Sequence, residues 1–200
     1  VRAGWPAAAS QQPSTEIERK EGAMDRVARA VRAAALIVPA AFFLAACSSG
    51  GGTYKTGYTC PATTTVPDLQ TLARLVPNSS VQTIQTAGRI ASVHSDCDKE
   101  AKGVATKLSI EFAALRTSPS IQHIDLPYFV AIADSAGNIL GKQQFSLGVD
   151  FPKDAPTVRA TDNITAHLPL ENPQLGNVYT VIVGFQLSQS ELKFNRAHQQ

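Results

Sequence analysis

The densest run of potential ligands and proton carriers in the chain is His94-Ser95-Asp96-Cys97-Asp98-Lys99-Glu100. In an extended backbone His94, Asp96 and Asp98 share one face, which is how a metal site could begin. Transition-metal sites usually recruit ligands from separate elements, however, and the run carries no ligand-spacing signature. A polar surface turn is its expected role. The other histidines are scattered: His123 stands two residues before Asp125, His167 falls on the polar parity of its strand, and His198 lies in the tail. Nucleophilic catalysis needs a base beside an activated Ser or Cys, and neither a Gly-x-Ser-x-Gly elbow nor a His-paired thiol is legible. Gly-rich phosphate loops of the Walker or dinucleotide type are missing as well. These residues give no ground for an enzyme, a metal or a bound cofactor.

The chemistry that the sequence does announce is at Cys47, which closes Leu44-Ala45-Ala46-Cys47. Arg26, Arg29 and Arg32 precede an apolar run over residues 33–46 that ends in small residues. A basic segment, an apolar segment and a small-residue cut site make a secretory signal. The run is shorter than the roughly 20 residues a membrane span needs, and Pro39 interrupts it. The basic end should stay inside while Cys47 emerges outside.

With a cysteine directly after the small residues, residues 24–47 resemble the signal and lipobox of bacterial lipoproteins. The resemblance implies cleavage before Cys47, diacylation of its sulfur and a lipid-bearing N-terminus. Ser48 follows, where an Asp would direct inner-membrane retention under the enterobacterial sorting rule, so outer-membrane placement is favoured. Met24 is the sole methionine. Because such signals start proteins, translation is expected to begin there, with residues 1–23 an upstream extension and 24–46 the signal peptide.

Once Cys47 carries lipid, Cys60 and Cys97 remain in a chain delivered to an oxidising compartment, and a Cys60–Cys97 disulfide is the default expectation. From Cys47 onward the chain has 154 residues, with twelve Lys and Arg against twelve Asp and Glu. That length suits one domain with an ordinary core. Zero net charge, without basic clusters interleaved with aromatics, gives no reason to expect a nucleic-acid partner.

Residues 48–53, Ser-Ser-Gly-Gly-Gly-Thr, have the composition of a flexible tether, which is expected to run over 47–59. Between 60 and 77, three prolines and a threonine run favour an extended edge segment with a short helical turn after Asp68. Strand signals then dominate: a long stretch over 81–94 with a bulge or close backbone approach at Gly88, and strict alternation over 104–115. Residues 128–133 are apolar on both parities, as a central strand is, and Asp134-Ser135-Ala136-Gly137-Asn138 supplies a turn. Alternation resumes over 145–151, over 158–170 with a break near Asp162-Asn163, and over 179–187. Ser188 with Glu191 makes a capping box, and Leu187 with Leu192 a hydrophobic staple, for a helix over 189–197.

Short strands joined by Gly, Pro and Asn turns predict an all-β, antiparallel sandwich of the immunoglobulin or fibronectin III kind over 60–200, with a short C-terminal helix. Leu126-Pro127-Tyr128-Phe129-Val130-Ala131 and Val183-Gly184-Phe185-Gln186-Leu187 are also similar to strings in proteobacterial envelope lipoproteins, which imply no activity. The expected role is a non-enzymatic structural or interaction module, anchored by the lipid on Cys47, facing the periplasm and touching an envelope protein. The alternative is a periplasmic carrier of a small molecule or lipid in a cavity between the sheets.

Overall fold

The computed structural model describes residues 17–19, 54–77 and 82–198. In chain order the elements are β1 (Ile17–Arg19), β2 (Tyr54–Lys55), β3 (Tyr58–Thr59), β4 (Ala62–Thr65), a 3-10 turn at Pro67–Leu69 and β5 (Thr71–Leu75). There follow β6 (Ile84–Glu100), β7 (Gly103–Arg116), β8 (His123–Ala133), β9 (Ile139–Asp150) and β10 (Thr157–Leu168). A 3-10 turn at Pro173–Val178, β11 (Thr180–Phe185) and α1 (Gln189–His198) complete the chain. One sheet has the order β1-β10-β7-β6-β5, the other β4-β11-β8-β9, and β2 and β3 form a hairpin.

Alternation fixes which faces meet. Val104, Thr106, Leu108, Ile110, Phe112 and Ala114 form the buried row of β7, while β8 is buried on both faces over residues 128–133. Phe112 is the hub, with its ring centroid 5.0 Å from that of Tyr128 and 5.8 Å from that of Phe185. The sandwich expected from the sequence is therefore present. β7 pairs with β10 rather than β8, and β8 pairs with β11, the cross-sheet connections of the immunoglobulin pattern. The place beside β11 is taken by β4, which runs parallel to it.

Of four local expectations, three change and one, the close approach at Gly88, is met. The 94–100 run is no turn but the second half of β6, whose ladder with β7 continues to Glu100. Gly88 marks a close approach, since a Cβ there would stand 2.7 Å from Leu126 Cδ2; the register shift lies farther on, between Ile90 and Ser92. β10 is not broken at Asp162-Asn163, because the inward Asp162 carboxylate accepts a 2.7 Å hydrogen bond from the buried Tyr128 hydroxyl. A buried carboxylate with a donor can sit within a ladder that an unpaired one would disrupt.

The fourth concerns the tether. The flexible stretch expected over 47–59 gives way to the β2–β3 hairpin at Tyr54, so the fold begins before Cys60. Residues 17–19, assigned from sequence to neither domain nor signal, lie as an edge strand on β10.

Candidate functional site

Leu44, Ala45, Ala46 and Cys47 lie outside the described residues. What the structure describes is the junction that follows. Thr59 is buried; its hydroxyl donates to the Gln174 carbonyl at 2.9 Å and accepts from the Asn177 N–H at 2.9 Å. The Pro173–Val178 turn can reach it because Gly176 has no side chain: a Cβ would stand 1.9 Å from the Thr59 carbonyl oxygen. Cys60 is then bonded to Cys97, with 5.7 Å between the Cα atoms, as expected from compartment and cysteine count. Cys60 precedes β4 in one sheet and Cys97 belongs to β6 in the other. The disulfide is thus a covalent tie between sheets at the point where the chain enters the sandwich.

The same side is closed by two further devices. The Pro67–Leu69 turn carries the chain from β4 in one sheet to β5 in the other. Helix α1 docks over that crossover. Asn195, buried on the helix, donates from Nδ2 to the carbonyls of Asp68 at 2.9 Å and Thr71 at 2.7 Å, and Arg196 Nε reaches the Asp68 carboxylate at 2.8 Å.

The candidate ligand run is distributed by its strand. His94, Asp96 and Asp98 are exposed on one face of β6 while Cys97 points inward, fully buried. Asp98 accepts an ion pair from Lys107. Among the described residues no group of three or more His, Cys, Asp or Glu is arranged to hold a metal ion.

His167 and His123 meet carboxylates, whereas His198 Nδ1 lies 2.8 Å from the Phe194 carbonyl oxygen. His167 Nδ1 lies 3.0 Å from Glu100 Oε1. On the outer face of β8 and β9, His123 has Nδ1 2.6 Å from Asp150 and Nε2 3.5 Å from Asp125. The hydrogen bond to Asp150 is the leading cause that raises its pKa above the ordinary value, with Asp125 adding to it and desolvation opposing. Carboxylates beside both ring nitrogens favour its protonated form. Glu111 is held below the usual carboxylate range chiefly by its hydrogen bond from Arg159.

Arg116 is the buried charge that sequence reading passed over. Its guanidinium donates to four carbonyls, of Pro119 at 3.2 Å, Ile121 at 2.7 Å, Pro152 at 2.8 Å and Lys153 at 2.8 Å, and lies 5.1 Å from the centroid of Phe151. It locks the β7–β8 loop against the β9–β10 loop. The available signal was parity: Arg116 continues the inward even-numbered row of β7.

No helix among the described residues is long and apolar enough to cross a membrane. No known protein family, curated protein or solved structure matches the chain.

Proposed function

We propose that this chain is a lipid-anchored lipoprotein of the bacterial cell envelope, a non-enzymatic interaction module held by acyl chains on Cys47 and facing the periplasm, with the outer membrane favoured. The observation that carries the reading is the Leu44-Ala45-Ala46-Cys47 sequence behind a basic and apolar leader. Cys60–Cys97 agrees with it, since disulfides persist in oxidising compartments. One acyl chain binds a membrane only marginally, so the two chains on the Cys47 sulfur are what make the anchor stable.

The hairpin at Tyr54 sharpens the geometry. Only residues 48–53 separate the lipidated cysteine from the fold, a span from Cys47 to Tyr54 of at most about 25 Å when fully extended. The sandwich sits against the lipid surface. Packing between Phe112, Tyr128 and Phe185 at the sandwich centre supports an interaction module over a carrier. Replacing Cys47 by Ala is expected to leave an unlipidated, uncleaved precursor, read by intact mass. Processing of that variant to the normal mature mass would sink the reading.

A further inference from the structure

The two sides of the sandwich are finished differently. On one side the disulfide, the Pro67–Leu69 crossover and α1 cover the short strands β4 and β5. On the other side one sheet ends in β9 and the other in β10 with the three-residue β1 laid on it; β9 and β10 are each twelve residues long. β10 keeps an unbroken twelve-position register with β7, so neither bulge nor proline bends its outer rim. Long regular edges are templates for another strand, and proteins usually blunt them.

That rim already holds a strand. β1 lies antiparallel on it, Ile17 opposite Ala166, Glu18 opposite Thr165 and Arg19 opposite Ile164. It covers three of the twelve positions; at residues 157–161 and at 163 no described strand lies on that side. Beside the covered positions a groove of about 530 Å³ opens on the outer face of the sheet, where His94, Asp96, Lys107, Asn163 and Thr165 contribute to its lining. Side chains of both charges border it, but the surface it presents is more apolar than polar, with Leu108 and Ile164 in its lining.

We propose that the outer rim of β10 is a strand-addition site that takes an extended segment of an envelope protein, antiparallel to β10 as β1 is. The inference rests on the lipoprotein reading, under which the mature protein starts at Cys47 and carries no β1, whether translation begins at Met24 or upstream of it, so the rim is open. Main-chain hydrogen bonds supply the affinity in this mode, and alternate side chains supply the selectivity. β1 shows the geometry of the seat: direction, register and room for a backbone.

The test uses the mature protein purified from membranes in detergent and a synthetic peptide of residues 14–22, Ser-Thr-Glu-Ile-Glu-Arg-Lys-Glu-Gly. Two further peptides carry backbone N-methyl groups, one at Ile17 and Arg19, the other at Glu18 and Lys20. Successive N–H groups of a strand point to opposite edges, so one methylated peptide loses its bonds to β10 and the other keeps them. Millimolar parent peptide is expected to slow amide exchange in residues 164–166 about tenfold and leave β5 unchanged. One methylated peptide should reproduce the effect and the other should not. No slowing, or equal action of both methylated peptides, overturns the site.

A photo-crosslinking residue in place of Asn163 in living cells then reads the occupant. A crosslink mapped to one segment of another envelope protein, and reduced by the parent peptide, supports the proposal; crosslinks only to a second copy, or none, overturn it. Intact mass of the same preparation reports lipid on Cys47 separately. Failure of the lipoprotein reading is thereby distinguished from failure of the strand site.

Discussion

At the scale of single residues, the row Asp125, His123 and Asp150 gives the surface of β8 and β9 a charge that depends on pH. His123 is half exposed, and both carboxylates favour its protonated form, Asp150 most. A raised folded-state pKa means that the stabilisation is fully present below the pKa of the unfolded chain, about 6.5, and is lost as pH rises through the higher folded value. Titration of the ring by NMR is expected to give a midpoint above 6.5, and Asp150→Asn should lower it. A midpoint at or below the ordinary value in the parent protein would show that the contact does not persist in solution. The pairing was not legible from sequence beyond the His123-x-Asp125 spacing, because Asp150 comes alongside only through the β8–β9 register. Arg116 and Asp162 were legible in principle, since both stand on inward parities; what hid them was the expectation that inward positions are apolar.

At the scale of elements, the sequence was most readable where local chemistry decides. The helix start was such a place: the Ser188 N–H donates to Glu191 Oε2 at 2.7 Å and the Glu191 N–H to Ser188 Oγ at 3.3 Å, the reciprocal capping box read from spacing alone. Alternation likewise located β7, and the residue types of Asp134-Ser135-Ala136-Gly137-Asn138 located a turn, where the Asp134 carboxylate accepts from the Ala136 and Asn138 N–H groups at 2.9 Å each. The extent of β6 was not readable, because its polar second half is exposed on one face and resembles a turn in composition. Where α1 docks was hidden too, since it depends on Asn195 finding two carbonyls more than 120 residues away. Asn195→Ala should lower unfolding stability by about 1 to 2 kcal/mol, because two carbonyls under the helix lose their donor. Asn195→Asp should cost more, as it sets a carboxylate against those same oxygens. Urea denaturation of the three proteins checks the order. Equal stability of all three would mean that α1 is not fastened at Asn195.

At the scale of the whole molecule, one side of the sandwich is bound together and the other is held by packing and loops. In the proposed anchoring at Cys47 the lipid lies on the bound side in sequence terms: residues 48–53 lead into the β2–β3 hairpin, and Cys60 would pass a pull from the membrane across the sheets to Cys97 in β6, the longest of the described strands. The closed loop spans 37 positions, and in the chain-entropy model constraining the unfolded chain over such a length is worth about 2 to 4 kcal/mol. Replacing both cysteines by Ala should therefore lower the unfolding free energy by that amount, read as a lower urea midpoint, and leave two small apolar side chains where the bridge was. The loss should also be uneven. Tyr58 and Thr59 are fastened by the contacts of Tyr58 with the Cys97 carbonyl and of Thr59 with the Pro173–Val178 turn, so amide exchange in β2, β3 and that turn should quicken first. The β8–β11 ladder, whose residues pack around Phe112 and Phe185, should keep its protection until global unfolding. A total loss below about 1 kcal/mol, with no quickening at the hairpin, would mean that the sheets are held at this edge without their covalent tie. In that case the proposed anchor would load the hairpin and its turn, and the disulfide would have no mechanical part in the fold.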